Sequence, residues 1–369
     1  MLERVAEKKT DRLFLLYVAI LILFGLAALA SASAPYGYSR FGDIYYFVKR
    51  QIFYGLLPGL LIFFIFIRFK ARFWQRVSWV AYFACLAALI IVFIPGVGAD
   101  FNKYAKSWID IGFFHFQPAE FVKLGLIMVL AQMLSDPRRD LRDFKHGLLP
   151  VLGVIAPVMF LVLFQPDIGT LAVLGGISYS MLFLAKTPKI YLAIIGLLGV
   201  AGFALIALVA PYRMDRLTIF LHPELDPQGV GYHVNQAYLA VGSGGFWGLG
   251  LGHSRQKHAY LPEVQADSIY AVIAEELGFL FSAGLMVFIL LIAWRGFNIA
   301  KEASDEYGYL LVCGIMVWFF WQSFINIGAM VGLLPLTGVT LPFVSHGGSS
   351  LMISLAAVGI VASVSRGSR

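Results

Sequence analysis

Apolar residues run along this chain in blocks rather than at helical or alternating spacing. Ten blocks are long enough to cross a bilayer, which takes roughly 20 mainly apolar residues. They lie at about 13–33, 48–67, 77–95, 117–134, 147–164, 168–185, 189–210, 267–293, 308–332 and 345–364. The pattern predicts an all-α polytopic membrane protein of ten transmembrane helices, a single membrane domain over 1–369. The first block is too long for a cleaved signal peptide, and no mature soluble domain follows it. One connection is far longer than the rest, residues 211–266 between helices seven and eight. It mixes aromatic residues, Gly pairs and charges, so it reads as an ordered loop rather than a disordered one. His233 to Val241 within it predicts a short amphipathic helix at the interface.

Composition agrees with this pattern. The chain is 60% hydrophobic and 13% charged, about half the charge of a soluble domain. The net charge of +7 is explained by topology and needs no nucleic acid. One alternating set of loops carries eighteen Lys and Arg residues and the other nine. The richer set, which includes both termini, is expected to be cytoplasmic. The 211–266 loop then lies outside. Cys85 and Cys313 both sit in apolar blocks, with neither disulfide nor zinc spacing.

Against this background the ionisable residues inside apolar blocks need explanation, because a charge at the bilayer centre costs roughly 3 kcal/mol or more. Glu120 and Lys123 share one helix face; they either neutralise each other or present Lys123 to an anionic ligand. Asp167 follows Pro166 in a short turn and suits an N-cap. Asp267 stands at the head of the eighth block, where a carboxylate is either a cap or a reactive group. Glu275 lies two turns deeper and about 80° round the axis, and Glu276 about 100° further. The three acids cannot face one partner, so at least one of the two glutamates pairs with backbone, a hydroxyl or another helix. The stretch 334–351, with prolines and Gly347–Gly348, predicts broken backbone, which at membrane depth must line a cavity or be packed in protein. These features share the outer side and point to a polar cavity suited to an amphiphile with a negative head and a lipid tail.

At these residues the chain resembles the SEDS family, the FtsW, RodA and SpoVE proteins of bacterial cell-wall synthesis. The resemblance rests on "WIDIGFFHFQPAEFVKL", "QPDIGT", "GYHVNQAYLAVGSGGFWGLGLGHSRQKHAYLPEVQADSIYAVIAEELGF" and "GLLPLTGVTLPFVSHGGSSL". It implies a peptidoglycan glycosyltransferase of the bacterial inner (plasma) membrane that polymerises lipid II. It also implies a class B penicillin-binding protein as partner, with other divisome or elongasome membrane proteins. "HSRQKHAYLPE" and "GVTLPF" are closer to the division type. Asp267 matches the family's essential acid, Glu120 and Lys123 its paired residues, and Trp108 a family tryptophan. Three positions depart from the family pattern: Gln265-Ala266 precede Asp267 where His-Thr is frequent, Ser107 replaces an Arg beside Trp108 with Lys106 one residue earlier, and His346 replaces a Tyr. These departures touch substrate contacts rather than the acid.

The chemistry follows from these residues. A sugar hydroxyl attacks an anomeric carbon, and a base, Asp267, takes its proton. An α-linked donor giving a β-linked product needs one inverting displacement and no covalent intermediate. The leaving pyrophosphate calls for cations, and Lys123, Arg213, Arg216, Lys257 and Lys106 are the candidates, with Ser345, Gly347 and Ser349 as further contacts. No cofactor is required; a divalent cation, Mg or Mn, could share the task, but no carboxylate cage for a metal is present. A lipid II flippase and a non-catalytic scaffold are the competing readings. The absence of an inverted repeat and of paired broken helices at mid-membrane argues against a carrier.

Overall fold

The computed structural model describes residues 10–94, 98–99, 107–110, 115–209, 211–258 and 260–367, with backbone alone at 98, 99, 110, 115, 206–209, 211–213 and 215. Twelve helices occur among these residues. They are α1 (Arg12–Phe41), α2 (Tyr46–Phe66), α3 (Ala71–Ile91), α4 (Pro118–Leu134), α5 (Phe144–Phe164), α6 (Ile168–Leu184), α7 (Lys189–Val209), α8 (Pro211–Leu221), α9 (Val230–Ser243), α10 (Ile269–Lys301), α11 (Glu306–Met330) and α12 (Gly348–Arg366). Between α3 and α4 three short antiparallel strands, β1 (Gly98–Ala99), β2 (Trp108–Asp110) and β3 (His115–Phe116), pair Ala99 with Trp108 and Ile109 with Phe116. Seven helices, α1, α2, α3, α5, α10, α11 and α12, are both long and apolar enough to cross a bilayer, and α6 and α7 are shorter apolar helices. The chain is a multi-pass membrane protein.

The core sits around α4, α11 and α12. In the most apolar window of α12, 94% of the residues are buried, against 17% in α2, so α12 is a central helix and α2 faces lipid. Glycine sets the closest approach. A Cβ at Gly59 would stand 2.6 Å from the Leu355 side chain, and such small residues let helix backbones meet where no hydrophobic drive exists between them.

The helix ends follow local chemistry. Asp143, Asp167 and Asp305 cap α5, α6 and α11 through side-chain oxygens that accept backbone N–H bonds. Pro118 opens α4 at its first turn, where its missing N–H costs nothing. In α2 the turn Ile52–Leu56 is a π-helix that ends two residues before Pro58, and the wider turn accommodates a residue that cannot donate to the preceding ladder.

Against the ten expected spans, seven helices meet the length and hydropathy needed; α4, expected as a span over 117–134, is 17 residues long and is not one of them. Two further elements differ in extent or shape. Helix α1 runs 30 residues to Phe41, beyond the block at 13–33. At about 1.5 Å per residue it spans roughly 45 Å, so its last turns stand clear of the hydrocarbon. Helix α10 runs 33 residues and breaks at Gly278, whose φ of 74° and ψ of −177° are non-helical. The segment 244–250 packs into this break. Leu249 N donates to Glu275 O (3.0 Å) and Gly250 N to Glu276 O (2.9 Å), while Phe279 N donates to Gly245 O (2.9 Å). The amides and carbonyls freed by the break are thus satisfied inside the protein, as irregular backbone at membrane depth requires. Phe246, Trp247 and Leu249 of the same segment are exposed and present apolar surface outward.

Candidate active site

Asp267 lies just ahead of α10, half-buried. The turn that carries it is anchored by Glu263, whose carbonyl accepts from Ala266 N (2.9 Å) and Ser268 N (3.3 Å). Asn326 of α11 fixes the turn from below, donating through Nδ2 to Asp267 O (2.8 Å) and to Val339 O (2.7 Å). One buried amide therefore ties Asp267 to the irregular segment before α12. His346 N closes the link by donating to Gln265 O (2.8 Å).

Among the described residues no cation lies at ion-pair distance from the Asp267 carboxyl. Ser268 Oγ lies 3.4 Å from its Oδ1 and 2.7 Å from His233 Nε2 of α9. Burial pushes the Asp267 carboxyl up to about 6, against the lowering effect of the Ser268 hydrogen bond and of Arg216. A carboxylate with that affinity is mostly ionised at neutral pH yet a far better base than an ordinary aspartate. His233 is pushed down to about 4 by burial and is neutral. Glu263 is also held above its ordinary value, by its surroundings and by the charge of Asp267. It is the second carboxylate of the site.

Two cavities lie against this turn, although Asp267 itself lines neither. One, about 510 Å³, is lined by Tyr36, Ser39, Tyr232, Tyr260 and Pro262. The other, about 350 Å³, is lined by Arg50, Trp108, Gln117, Thr340, His346 and Gly347. Glu263 and Gln265 belong to both. A third, apolar cavity of about 220 Å³ lies between α6, α7, α8 and α11, with Arg216 on its wall. Arg216 Nη1 also donates to Leu336 O (3.4 Å).

The other residues singled out from the sequence fall in different places. Lys123 is 1% exposed; its ammonium donates to Glu120 Oε1 (2.6 Å) and Gln322 Oε1 (2.7 Å) and stands 5.1 Å from the centre of the Trp318 ring. It neutralises Glu120 and joins α4 to α11. Asp167 is the cap of α6, accepting from Thr170 N (2.9 Å) and Thr170 Oγ1 (2.7 Å). Lys257, expected to face the leaving group, stands on the wall of the first cavity, buried and paired with Glu276 Oε1 at 2.7 Å. Glu276 also accepts from Ser31 Oγ (2.7 Å) of α1. Glu275 accepts from Arg255 N (2.9 Å), Gln256 N (3.3 Å) and Ser254 Oγ. Both glutamates therefore hold the loop 254–257 against α10, by backbone, hydroxyl and ammonium partners.

Trp108 and Gly347 line the second cavity. Ser345 and Ser349 turn inward instead: Ser345 Oγ accepts from Leu341 N (2.9 Å) and Ser349 Oγ from Gln117 N (3.4 Å). Lys106 and the Arg213 side chain lie outside the described residues. Among the described residues no three His, Cys, Asp or Glu side chains stand together as a metal site. The sequence reading missed His233, Asn326, Glu263 and Arg50. Of these, only Glu263 carried a local signal, an acid four residues before Asp267.

Comparison with known proteins places this geometry. Stage V sporulation protein E of Bacillus subtilis is 40% identical over 98% of this chain and 99% of its own length. Escherichia coli O6:H1 has a protein named as a probable peptidoglycan glycosyltransferase FtsW, 39% identical over 95% of this chain and 86% of its own. Among solved structures, a chain of a peptidoglycan synthase complex that coordinates polymerization and crosslinking superposes with a TM-score of 0.80 at 29% identity, covering 97% of this chain and 98% of that one. The rod shape determining protein RodA of Thermus thermophilus gives 0.71 at 27% identity, covering 99% and 98%. The family model described as Cell cycle protein, for FtsW, RodA and SpoVE, matches residues 11–369, and the chain belongs to that family.

Proposed function

We propose that the protein is a peptidoglycan glycosyltransferase that polymerises lipid II into glycan strands on the outer face of a bacterial plasma membrane. The observation that carries the reading is Asp267, half-buried, held near a pKa of about 6 and next in the chain to the residues, Glu263 and Gln265, that two cavities share. A reaction that joins two copies of one amphiphile needs a base flanked by two sugar sites. The acceptor hydroxyl oxygen forms a bond to the anomeric carbon of the donor as its proton passes to Asp267. The bond from that carbon to the phosphate oxygen breaks, and its electron pair leaves with the lipid pyrophosphate. Inversion at the anomeric carbon follows from the single displacement. Among the described residues no cluster of three carboxylate, His or Cys side chains stands ready for a metal; a divalent cation, Mg or Mn, would share the pyrophosphate charge with the cations of the site.

The same reading sets the protein in its membrane. Ten spans, α1–α7 and α10–α12, with both termini in the cytoplasm, account for the two-to-one loop bias of basic residues. The loop 211–266 then lies outside with Asp267, where lipid II is presented. A class B penicillin-binding transpeptidase is the expected partner, because nascent strands must be cross-linked as they form; other divisome proteins are expected beside it. Similarity to FtsW and SpoVE proteins supports a septal role over an elongation role.

The test is polymerisation of purified lipid II in detergent, with and without a co-purified transpeptidase. Chain formation without two compartments separates an enzyme from a flippase, and strands made by this chain separate it from a scaffold. Asp267→Ala should make no glycan while remaining folded. Normal strand synthesis by that variant would remove Asp267 from the mechanism.

A further inference from the structure

Ser268 is the N-cap residue of α10, yet its side chain makes no cap hydrogen bond. A serine at that position usually accepts the N–H of the second or third helical residue. Here Oγ is drawn away from the helix. It lies 2.7 Å from His233 Nε2 and 3.4 Å from Asp267 Oδ1, and Ser268 is 0% exposed. A buried hydroxyl that leaves its own helix uncapped to meet two side chains is a local rule broken, and such breaks concentrate at functional sites.

Helix α9 brings the histidine to this point. Asp226 fixes the start of α9, its Oδ2 accepting from Val230 N (2.8 Å) and its carbonyl from Tyr232 N (3.1 Å). Just past the other end Gly244 packs on α10, so closely that a Cβ there would stand 2.0 Å from Ala274 O. Backbone packing on both sides of His233 therefore holds the imidazole over Ser268. The charged groups around it are Glu263 on the turn, with Arg40 of α1 beyond, Arg216 of α8, and Asp267 through Ser268. Burial keeps the imidazole neutral against the pull of Glu263, and Arg216 acts in the same sense as burial. A neutral imidazole has two tautomers. With Nε2 bare, it would take the serine proton, and Oγ would turn a lone pair toward the ionised carboxylate. With Nε2 protonated, it donates to Oγ and the serine proton is free for Asp267 Oδ1. An ionised Asp267 selects the second arrangement.

We infer that His233 is a positioning residue for the base: as the Nε2–H tautomer it donates to Ser268 Oγ, turns the serine hydroxyl onto the Asp267 carboxylate and so favours the ionised form of Asp267 between sugar additions. Its effect on turnover rests on the polymerase reading; its effect on the carboxyl does not. Burial by itself drives Asp267 toward the protonated form, and a base that keeps the proton of one acceptor cannot serve the next. A hydrogen bond donated to the carboxylate offsets part of that burial, because it is made to the charged form. The hydroxyl can supply it only while another group occupies its lone pair and leaves its proton free. His233 acts through Ser268, not on the sugar.

The test uses the full chain in detergent and two readouts between about pH 4 and about pH 9. One is labelling of Asp267 by a water-soluble carbodiimide with glycine ethyl ester, which reports the protonated carboxyl and is read by mass spectrometry. The other is polymerisation of lipid II. Both should show a midpoint of about 6 in wild type. In His233→Leu both midpoints should rise to about 7, since a hydrogen bond to a charged group is worth roughly a tenfold step in affinity. Its rate should then be about fivefold lower than wild type at pH 6 and within about twofold of it at pH 9. His233→Gln keeps an N–H donor at the same reach and should stay near wild type. Ser268→Ala should shift as far as His233→Leu, and the double variant no further. His222→Leu, at an exposed histidine of the same loop, should change neither readout. His233→Asn, whose amide falls short of Ser268, serves if the leucine variant does not fold. A labelling midpoint in His233→Leu no higher than in His222→Leu would overturn the inference, as would additive shifts in the double variant or a glutamine variant shifted as far as the leucine one. A rate loss that persists at pH 9 with labelling unmoved would also overturn it, because that is the mark of a merely structural role. A wild-type protein that makes no glycan, while the labelling midpoint still moves in His233→Leu, would sink the polymerase reading and leave the pair standing.

Discussion

Lys257 and Glu276 form an ion pair of 2.7 Å in which both side chains are at most 5% exposed, and the pair ties a loop to a broken helix. Substituting Lys257 by Met removes the ammonium and leaves the Glu276 carboxylate with Ser31 Oγ and the long contact from Ser254 N at 3.4 Å. Breaking a buried pair by deleting one partner costs about 3–5 kcal/mol, chiefly because an uncompensated charge stays buried. At roughly 2 °C per kcal/mol for a large domain, the melting temperature should fall by about 6–10 °C. Thermal unfolding in detergent, followed by a thiol-reactive dye, reads this directly, since Cys313 is 1% exposed and reacts only on opening. The double variant Lys257→Met/Glu276→Gln should recover most of the loss, because it removes the stranded charge. Lys257→Met melting like wild type, or a double variant no better than the single, would refute the view that this pair anchors the loop through charge compensation.

Further outcomes follow from the site and its packing. With Asp267 near a pKa of about 6, about nine-tenths of the molecules carry the base at pH 7 and about one-tenth at pH 5, so the polymerisation rate should fall roughly tenfold between them; a flat profile would exclude Asp267 as the titrating base. Its folded pKa lies above the unfolded value of 3.8, so the ionised group destabilises the fold and stability falls as pH rises from about 4 to about 6. Asp267→Asn should then melt above wild type at pH 7, and a lower melting point would contradict the sign. Ser268→Ala removes a hydroxyl that lowers the Asp267 pKa, so the acidic limb of the rate profile should move to higher pH. Gly248 has a φ of +83°, and a Cβ there would come within 2.2 Å of Glu276 O. Gly248→Ala should therefore destabilise by a few kcal/mol, whereas Gly284→Ala, which meets nothing within 4 Å, should not; comparable folded yields in detergent would refute the close approach.

Much of the fold was legible because bilayer crossing is a local property. Hydropathy over some twenty residues located the seven helices long and apolar enough to cross a bilayer, and the N-cap at Asp167 is written in the residues around it. The Glu120–Lys123 pair was readable from its spacing of three, and Asp267 from its place at the head of an apolar block. What lay beyond reach depends on partners far apart in the chain. Glu275 and Glu276 looked like unexplained acids in hydrocarbon; they meet Ser254, Arg255, Lys257 and Ser31, and only folding brings those residues to the break at Gly278. Lys257 read as a cation for the leaving pyrophosphate because its loop is polar, while burial and a carboxylate from another element decide where its charge goes. Arg50 counted only toward topology until α2 was packed against α12.

By itself, then, the chain determined which segments are apolar enough for a membrane, how its basic residues divide between alternate loops and which acid stands at a helix head, since solvent transfer and helix capping act on neighbours in sequence. Tertiary structure alone decided which charges are spent on one another and which remain to meet a ligand. That division depends on distances between side chains on different helices, and an ion pair or a hydrogen bond forms only within about 3 Å.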